Sequence, residues 1–166
     1  MTALHDFNQQ RYEDALAHIL PCVAIPAWAE ALVRGRPYPS RDALFDAASA
    51  LVQQWDENAL TLALSAHPRI GEKPAGTQAE AALSRQEQGA VNESDAALAR
   101  ALREGNARYE ARFGRVFLIR AKGRSGEDIL QALERRLKNT DAQEVQAALE
   151  QLREITLLRL EGVIGE

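Results

Sequence analysis

Apolar residues recur in this chain every three or four positions and almost never every second one. That spacing lines one face of a helix, whereas a half-buried strand needs strict alternation. Such a chain can bury its apolar stripes only by packing helix on helix. In "DFNQQRYEDALAHIL" Phe7, Tyr12, Leu16, Ile19 and Leu20 fall roughly along one side. Pro21 and Pro26 bracket a break, and "AWAEALVRGRPYPS" gives a short helix ended by Gly35 and Pro37. Ser40 is placed to N-cap "RDALFDAASALVQQW". A short helix from about Asn58 to Ala66 follows.

Further along, Thr77 with Glu80 is a capping-box pattern for "QAEAALSRQEQGAV", and Ser94 opens a helix through "ALARALREGNARYEARF" that Gly114 stops. Only "RVFLI" reads as extended, with Val116, Phe117 and Ile119 apolar. Ser125 with Asp128, and Thr140 with Gln143, make two more capping boxes ahead of the last two helices. Neither a repeat nor a linker interrupts the pattern. The expectation is an all-α, single-domain bundle of about seven or eight helices spanning residues 1–166.

Bulk properties narrow the function. With 166 residues, 46% of them hydrophobic, the chain can bury a substantial core. A net charge of −4 without a basic block gives no footprint for nucleic acid. Cys22 is the single cysteine, which excludes a disulfide framework and a thiolate zinc cluster. The first twenty residues carry acids inside their apolar pattern, unlike a signal peptide, and no run approaches the roughly 18 apolar residues of a membrane span. A soluble cytoplasmic protein is expected. His5, His18 and His67 lack ligand spacing on one helix, so no metal is expected, and no phosphate loop or nucleophile elbow occurs.

Three features stand out against this helical background. "HPRIGEK", residues 67–73, has no apolar period and sets His67 before Pro68 and near Gly71. Proline restricts the residue before it as well as itself, so a rigid turn would aim the imidazole. The same motif would also serve as a plain helix stop with a surface histidine. Ser84, Glu87 and Gln88 share one helical face, which is either solvated or lines a site. Arg159 is sharper. Val145, Leu149, Leu152 and Ile155 step along a core stripe whose next positions are Arg159 and Val163. An arginine there must snorkel out, pair with a carboxylate or hold an anion. Its fork suits a substrate carboxylate because it donates two parallel hydrogen bonds.

Taken together, "HPRIGEK", "SRQEQGAV", "NARYEARFG" and "ERRLKNTDAQEVQAALEQLREITLLRL" resemble the OHCU decarboxylases. The likeness runs from about Phe7 to Leu160 and includes "WAEALVRGRPYPS". One departure is visible: after Phe-Gly the family often carries an aromatic, and here Arg115 stands in its place. The resemblance implies an all-helical, typically dimeric enzyme that needs no cofactor. Its substrate would be 2-oxo-4-hydroxy-4-carboxy-5-ureidoimidazoline (OHCU), decarboxylated to (S)-allantoin in urate breakdown.

Matched position by position, the resemblance implies catalytic roles for His67, Glu87 and Arg159. It implies substrate contacts at Pro68, at Ser84, Arg85, Gln86, Glu87 and Gln88, and at Ile119, Arg120, Ala121, Lys122 and Gly123. The break at residues 67–73 would then exist to hold His67 at the mouth of a helical pocket. Two other readings fit the residues alone: a non-catalytic helical interaction domain, or another cofactor-free enzyme acting on ureido or hydantoin compounds.

Overall fold

Side-chain caps start half of the described helices. In the computed structural model, which describes residues 2–65 and 96–165, eight helices follow a two-residue strand, β1 (Thr2–Ala3). They are α1 (Leu4–Gln9), α2 (Tyr12–Ile19), α3 (Pro26–Arg34), α4 (Arg41–Val52), α5 (Glu57–Leu64), α6 (Ala96–Phe113), α7 (Gly126–Arg136) and α8 (Asp141–Val163). A 3-10 turn, Leu20–Cys22, fills the break between α2 and α3, and a second two-residue strand, β2 (Ile164–Gly165), ends the order. The all-α expectation holds.

Ser40 caps α4 by accepting the Ala43 N–H at 3.1 Å, and both later capping boxes, Ser125–Asp128 and Thr140–Gln143, form reciprocally. Each such cap contributes about 1 kcal/mol by satisfying amides the helix itself leaves open. Asp56 caps α5 in the same way, accepting the Ala59 N–H at 3.0 Å. Gly114 ends α6 with φ of 72°, a conformation that favours glycine. The stretch Phe7–Leu20 is not one helix. It breaks between α1 and α2, and the side that faces inward is Ala15 and Ile19, leaving Tyr12 and Leu20 exposed.

Two apolar cores result. The larger joins α1 to α5 with α8 and contains Phe7, Trp28, Leu32, Leu44, Leu60, Leu149 and Leu152. The smaller lies between α6 and α7 and contains Leu102, Tyr109, Phe113, Ile129 and Leu133. These two helices approach closely, since a Cβ at Gly105 would run into Leu133 and one at Gly126 into Leu98. The Arg36–Ser40 loop is tied to α1: Asn8 exchanges hydrogen bonds with the Tyr38 backbone at 2.9 Å each way, and Arg36 donates to the carbonyls of Phe7 and Gln10.

The chain ends meet in a short parallel pairing, Thr2 with Ile164 and Ala3 with Gly165. Arg41 braces the same place, donating to the Ile164 carbonyl at 3.1 Å and the Glu161 carbonyl at 3.2 Å. Among the described residues no helix is long and apolar enough to cross a membrane.

The smaller core contains a buried ionic cluster. Glu144, fully buried in the first turn of α8, accepts from the Tyr109 hydroxyl at 2.5 Å, from Arg136 and from Asn139 at 3.1 Å. Arg136 also lies over the Phe117 ring, 4.5 Å from its centroid. Burial, then the hydrogen bond and negative charge of Glu144, push the Tyr109 phenol well above its usual value of 10.0. Burial also raises the Tyr38 phenol, which donates to the Leu32 carbonyl at 2.5 Å. Unfolded tyrosines lose their protons near pH 10 while these two keep theirs in the fold. The native state then holds more protons, so stability falls as pH rises above about 10. Urea unfolding between pH 9 and 11 should show that decline, and it should be shallower in Tyr109→Phe. An identical slope in the variant would contradict this account.

Candidate active site

The expected site residues divide into a described set and an undescribed one. His67, Pro68, Ser84, Arg85, Gln86, Glu87 and Gln88 lie outside the described residues, as do the Thr77–Glu80 capping box and the Ser94 cap. Arg159 and the Ile119–Gly123 segment lie within them.

Arg159 does not snorkel. It is only 4% exposed, on the face of α8 that also buries Ile155, Thr156 and Leu160. Its Nη1 donates to the Cys22 carbonyl at 3.2 Å, in the 3-10 turn between α2 and α3. A guanidinium has five N–H donors and cannot lose its charge, so this bond uses one of them and fixes the head group's position. Pro21 shapes that turn, which explains the break read in the sequence: it brings a carbonyl to the arginine.

Residues 116–121 adopt no regular structure and pair with no strand among the described residues, so the extended reading of "RVFLI" holds only in its side-chain pattern. Phe117, Ile119 and Ala121 enter the smaller core while Leu118 enters the larger one. The segment is thus a wedge between the two cores. Phe117 is 1% exposed and meets the edge of the Tyr109 ring at 5.1 Å, so it packs tightly despite the missing aromatic after Gly114. Arg115 instead turns away to pair with Glu57 at 2.9 Å.

Polar clamps hold the wedge. The Leu118 carbonyl accepts from Arg136 Nη1 at 2.7 Å, and the Arg120 N–H donates to Gln151 Oε1 at 2.9 Å. The Arg120 side chain pairs with Glu154 at 2.6 Å. A turn follows, closed by the Arg124 N–H donating to the Ala121 carbonyl at 3.1 Å, with Gly123 at φ of 81° in the third position. Ile119 and Ala121 are buried, while Lys122 and Gly123 are exposed. One helix therefore governs both described parts of the expected site: Gln151 and Glu154 grip the wedge, and Arg159 sits about 12 and 8 Å farther along the axis of α8.

Residues 8–161 match the sequence profile described as OHCU decarboxylase. The chain belongs to the OHCU decarboxylase family. It is 28% identical to a 2-oxo-4-hydroxy-4-carboxy-5-ureidoimidazoline decarboxylase of Amia calva, over 99% of this chain and 94% of that one. It is 32% identical to the uric acid degradation bifunctional protein TTL of Arabidopsis thaliana, over 87% of this chain. That match covers 46% of the plant protein, so the chain corresponds to less than half of it. Its fold superposes on a crystal structure of OHCU decarboxylase in the presence of (S)-allantoin with a TM-score of 0.69, at 27% identity, covering 88% of this chain and 96% of the other.

Within the stretches that carry the family likeness, the structure shows one to be scaffold. In "NARYEARFG" Asn106, Tyr109 and Phe113 are buried between α6 and α7, and Gly114 ends the helix. That motif builds the smaller core. Sequence reasoning missed Arg136, Glu144, Gln151 and Glu154, which hold the wedge. Their one visible trace is that Glu144 and Gln151, seven residues apart, project from nearly the same side of α8.

Proposed function

We propose that this chain, a carboxy-lyase of the OHCU decarboxylase family acting in urate degradation, converts OHCU to (S)-allantoin through His67, Glu87 and Arg159. The observation that carries the residue assignment is Arg159: a charged group buried on the core stripe of α8, in a chain matching the family over residues 8–161. A guanidinium held at a buried position offers a fixed fork of N–H donors, which suits the carboxylate of an anionic substrate.

The chemistry needs no external electron sink. When the carboxylate leaves as CO2, its C–C bond pair forms a double bond to the ureido-bearing carbon. The ring C=N pair moves onto nitrogen, which takes a proton. The resulting enol then loses its hydroxyl proton while the ureido-bearing carbon gains one from a single face, giving the amide of (S)-allantoin. In this reading Arg159 anchors the substrate's carboxylate or carbonyl oxygens. Glu87 orients the hydroxyl and ureido donors. His67 moves the proton, because an imidazole titrates near neutral pH. Pro68 and residues 84–88 with 119–123 bind the substrate, the second segment through its backbone. The reaction runs without a cofactor in a single cytoplasmic domain that pairs as a homodimer.

The test makes the unstable substrate in place, by supplying urate to a urate oxidase and a hydroxyisourate hydrolase, and follows circular dichroism. With this protein present, a persistent (S)-allantoin signal should build rapidly. Decay to racemic product at the spontaneous rate would overturn the proposal.

A further inference from the structure

The backbone of the wedge is clamped on both sides of one residue. Arg136 takes the Leu118 carbonyl, and Gln151 takes the Arg120 N–H. The cis peptide among the described residues is Arg36–Pro37, so the two peptides flanking Ile119 are trans. In a planar trans peptide the C=O and N–H point in opposite directions. Fixing the Arg120 N–H on Gln151 therefore turns the Ile119 C=O away from α8. Fixing the Leu118 C=O on Arg136 turns the Ile119 N–H away from that guanidinium. The alternation of Phe117, Leu118 and Ile119 between the two cores shows the extended geometry in which one residue's N–H and C=O lie along the same edge. Among the described residues neither of these Ile119 groups meets a hydrogen-bond partner.

The geometry points to Gln151 as a positioning residue for substrate binding. Its side-chain oxygen sets the Ile119–Arg120 peptide plane, so that the donor and acceptor of Ile119 stand side by side toward a ring that carries an amide. Arg136, locked by Glu144, does the same for the preceding peptide. Without the Gln151 acceptor the plane can rotate and the two groups no longer meet the ring edge together. This inference rests on the proposed decarboxylation and on the place of residues 119–123 in it, and it assigns what orients that segment.

The experiment compares Gln151→Met, which keeps the side chain's length but removes the acceptor, with Gln151→Glu, which retains an acceptor oxygen. Steady-state rates on OHCU generated in place give KM and kcat, and thermal unfolding reports on the fold. For Gln151→Met, KM should rise by about tenfold, the size of one lost hydrogen bond, while kcat falls less than about threefold. Gln151→Glu should return KM to within about threefold of the parent, and both variants should unfold within a few degrees of it. An unchanged KM in Gln151→Met, or an equal rise in both variants, would overturn the positioning role. Failure of the parent protein to decarboxylate OHCU would instead overturn the proposed function, so the two failures are distinguishable.

Discussion

Replacing Glu144 by alanine should destabilise the protein by about 3–5 kcal/mol, the range seen when one partner of a buried ion pair is removed. Glu144 is fully buried, and one carboxylate satisfies groups from three places: the Tyr109 hydroxyl of α6, the Arg136 guanidinium of α7 and the Asn139 amide before α8. Alanine leaves the charge of Arg136 over the Phe117 ring with its carboxylate gone, and deprives the buried Tyr109 hydroxyl of its acceptor. Spread over a chain of 166 residues, such a loss lowers the melting temperature by about 10 °C. Tyr109→Phe removes one hydrogen bond and no charge, so it should cost only about 1–2 kcal/mol. Urea denaturation of both variants measures the difference. A loss below about 1 kcal/mol for Glu144→Ala would mean that the cluster contributes little to the fold.

His67→Ala should lower turnover on OHCU by about 10²-fold or more, the contribution of a positioned general acid or base. The fold should survive, with a far-ultraviolet dichroism spectrum like the parent's, so that lost activity reports on chemistry. Arg159 needs a subtler substitution, because it also ties α8 to the Cys22 carbonyl. Arg159→Lys keeps the charge and removes the fork, and it should raise KM more than it lowers kcat if the fork anchors the substrate. Initial rates of (S)-allantoin formation measure both variants. Full turnover in His67→Ala would remove that histidine from the mechanism.

What the sequence made legible was local. The caps at Ser40, Ser125 and Thr140 depend on residues three apart, and each formed as the spacing predicts. Arg159 was legible because it breaks an apolar period, and the structure finds it buried there. The Glu144 cluster was not, since acids are ordinary in the first turn of a helix and its partners come from separate segments. The same holds for Gln151, whose polar side chain reads as solvated until the wedge is placed beside it. Residues 116–121 alternate as a strand would, but the Leu118 carbonyl and the Arg120 N–H bond to side chains rather than to a second strand, which no local pattern announces. Tyr12 and Leu20 erred the other way: a two-residue break between α1 and α2 rotates the apolar stripe, so periodicity read across it assigns the wrong faces.

The parallel pairing of β1 with β2 brings the first and last described residues together but sends the chain off at opposite ends of the ladder. Thr2 lies beside Ile164 and Ala3 beside Gly165, with Arg41 holding the last turn of α8 against them. Paired strands stand about 4.8 Å apart. A tag or a second folded unit joined before Thr2 would therefore leave close to one joined after Gly165 but in the opposite direction, and either one is a tether on the same short ladder. Any pull on that tether is felt at the foot of the helix that carries Arg159, little more than one turn away. Fusion partners for this protein are thus better judged by the slack of their linker than by which end they occupy.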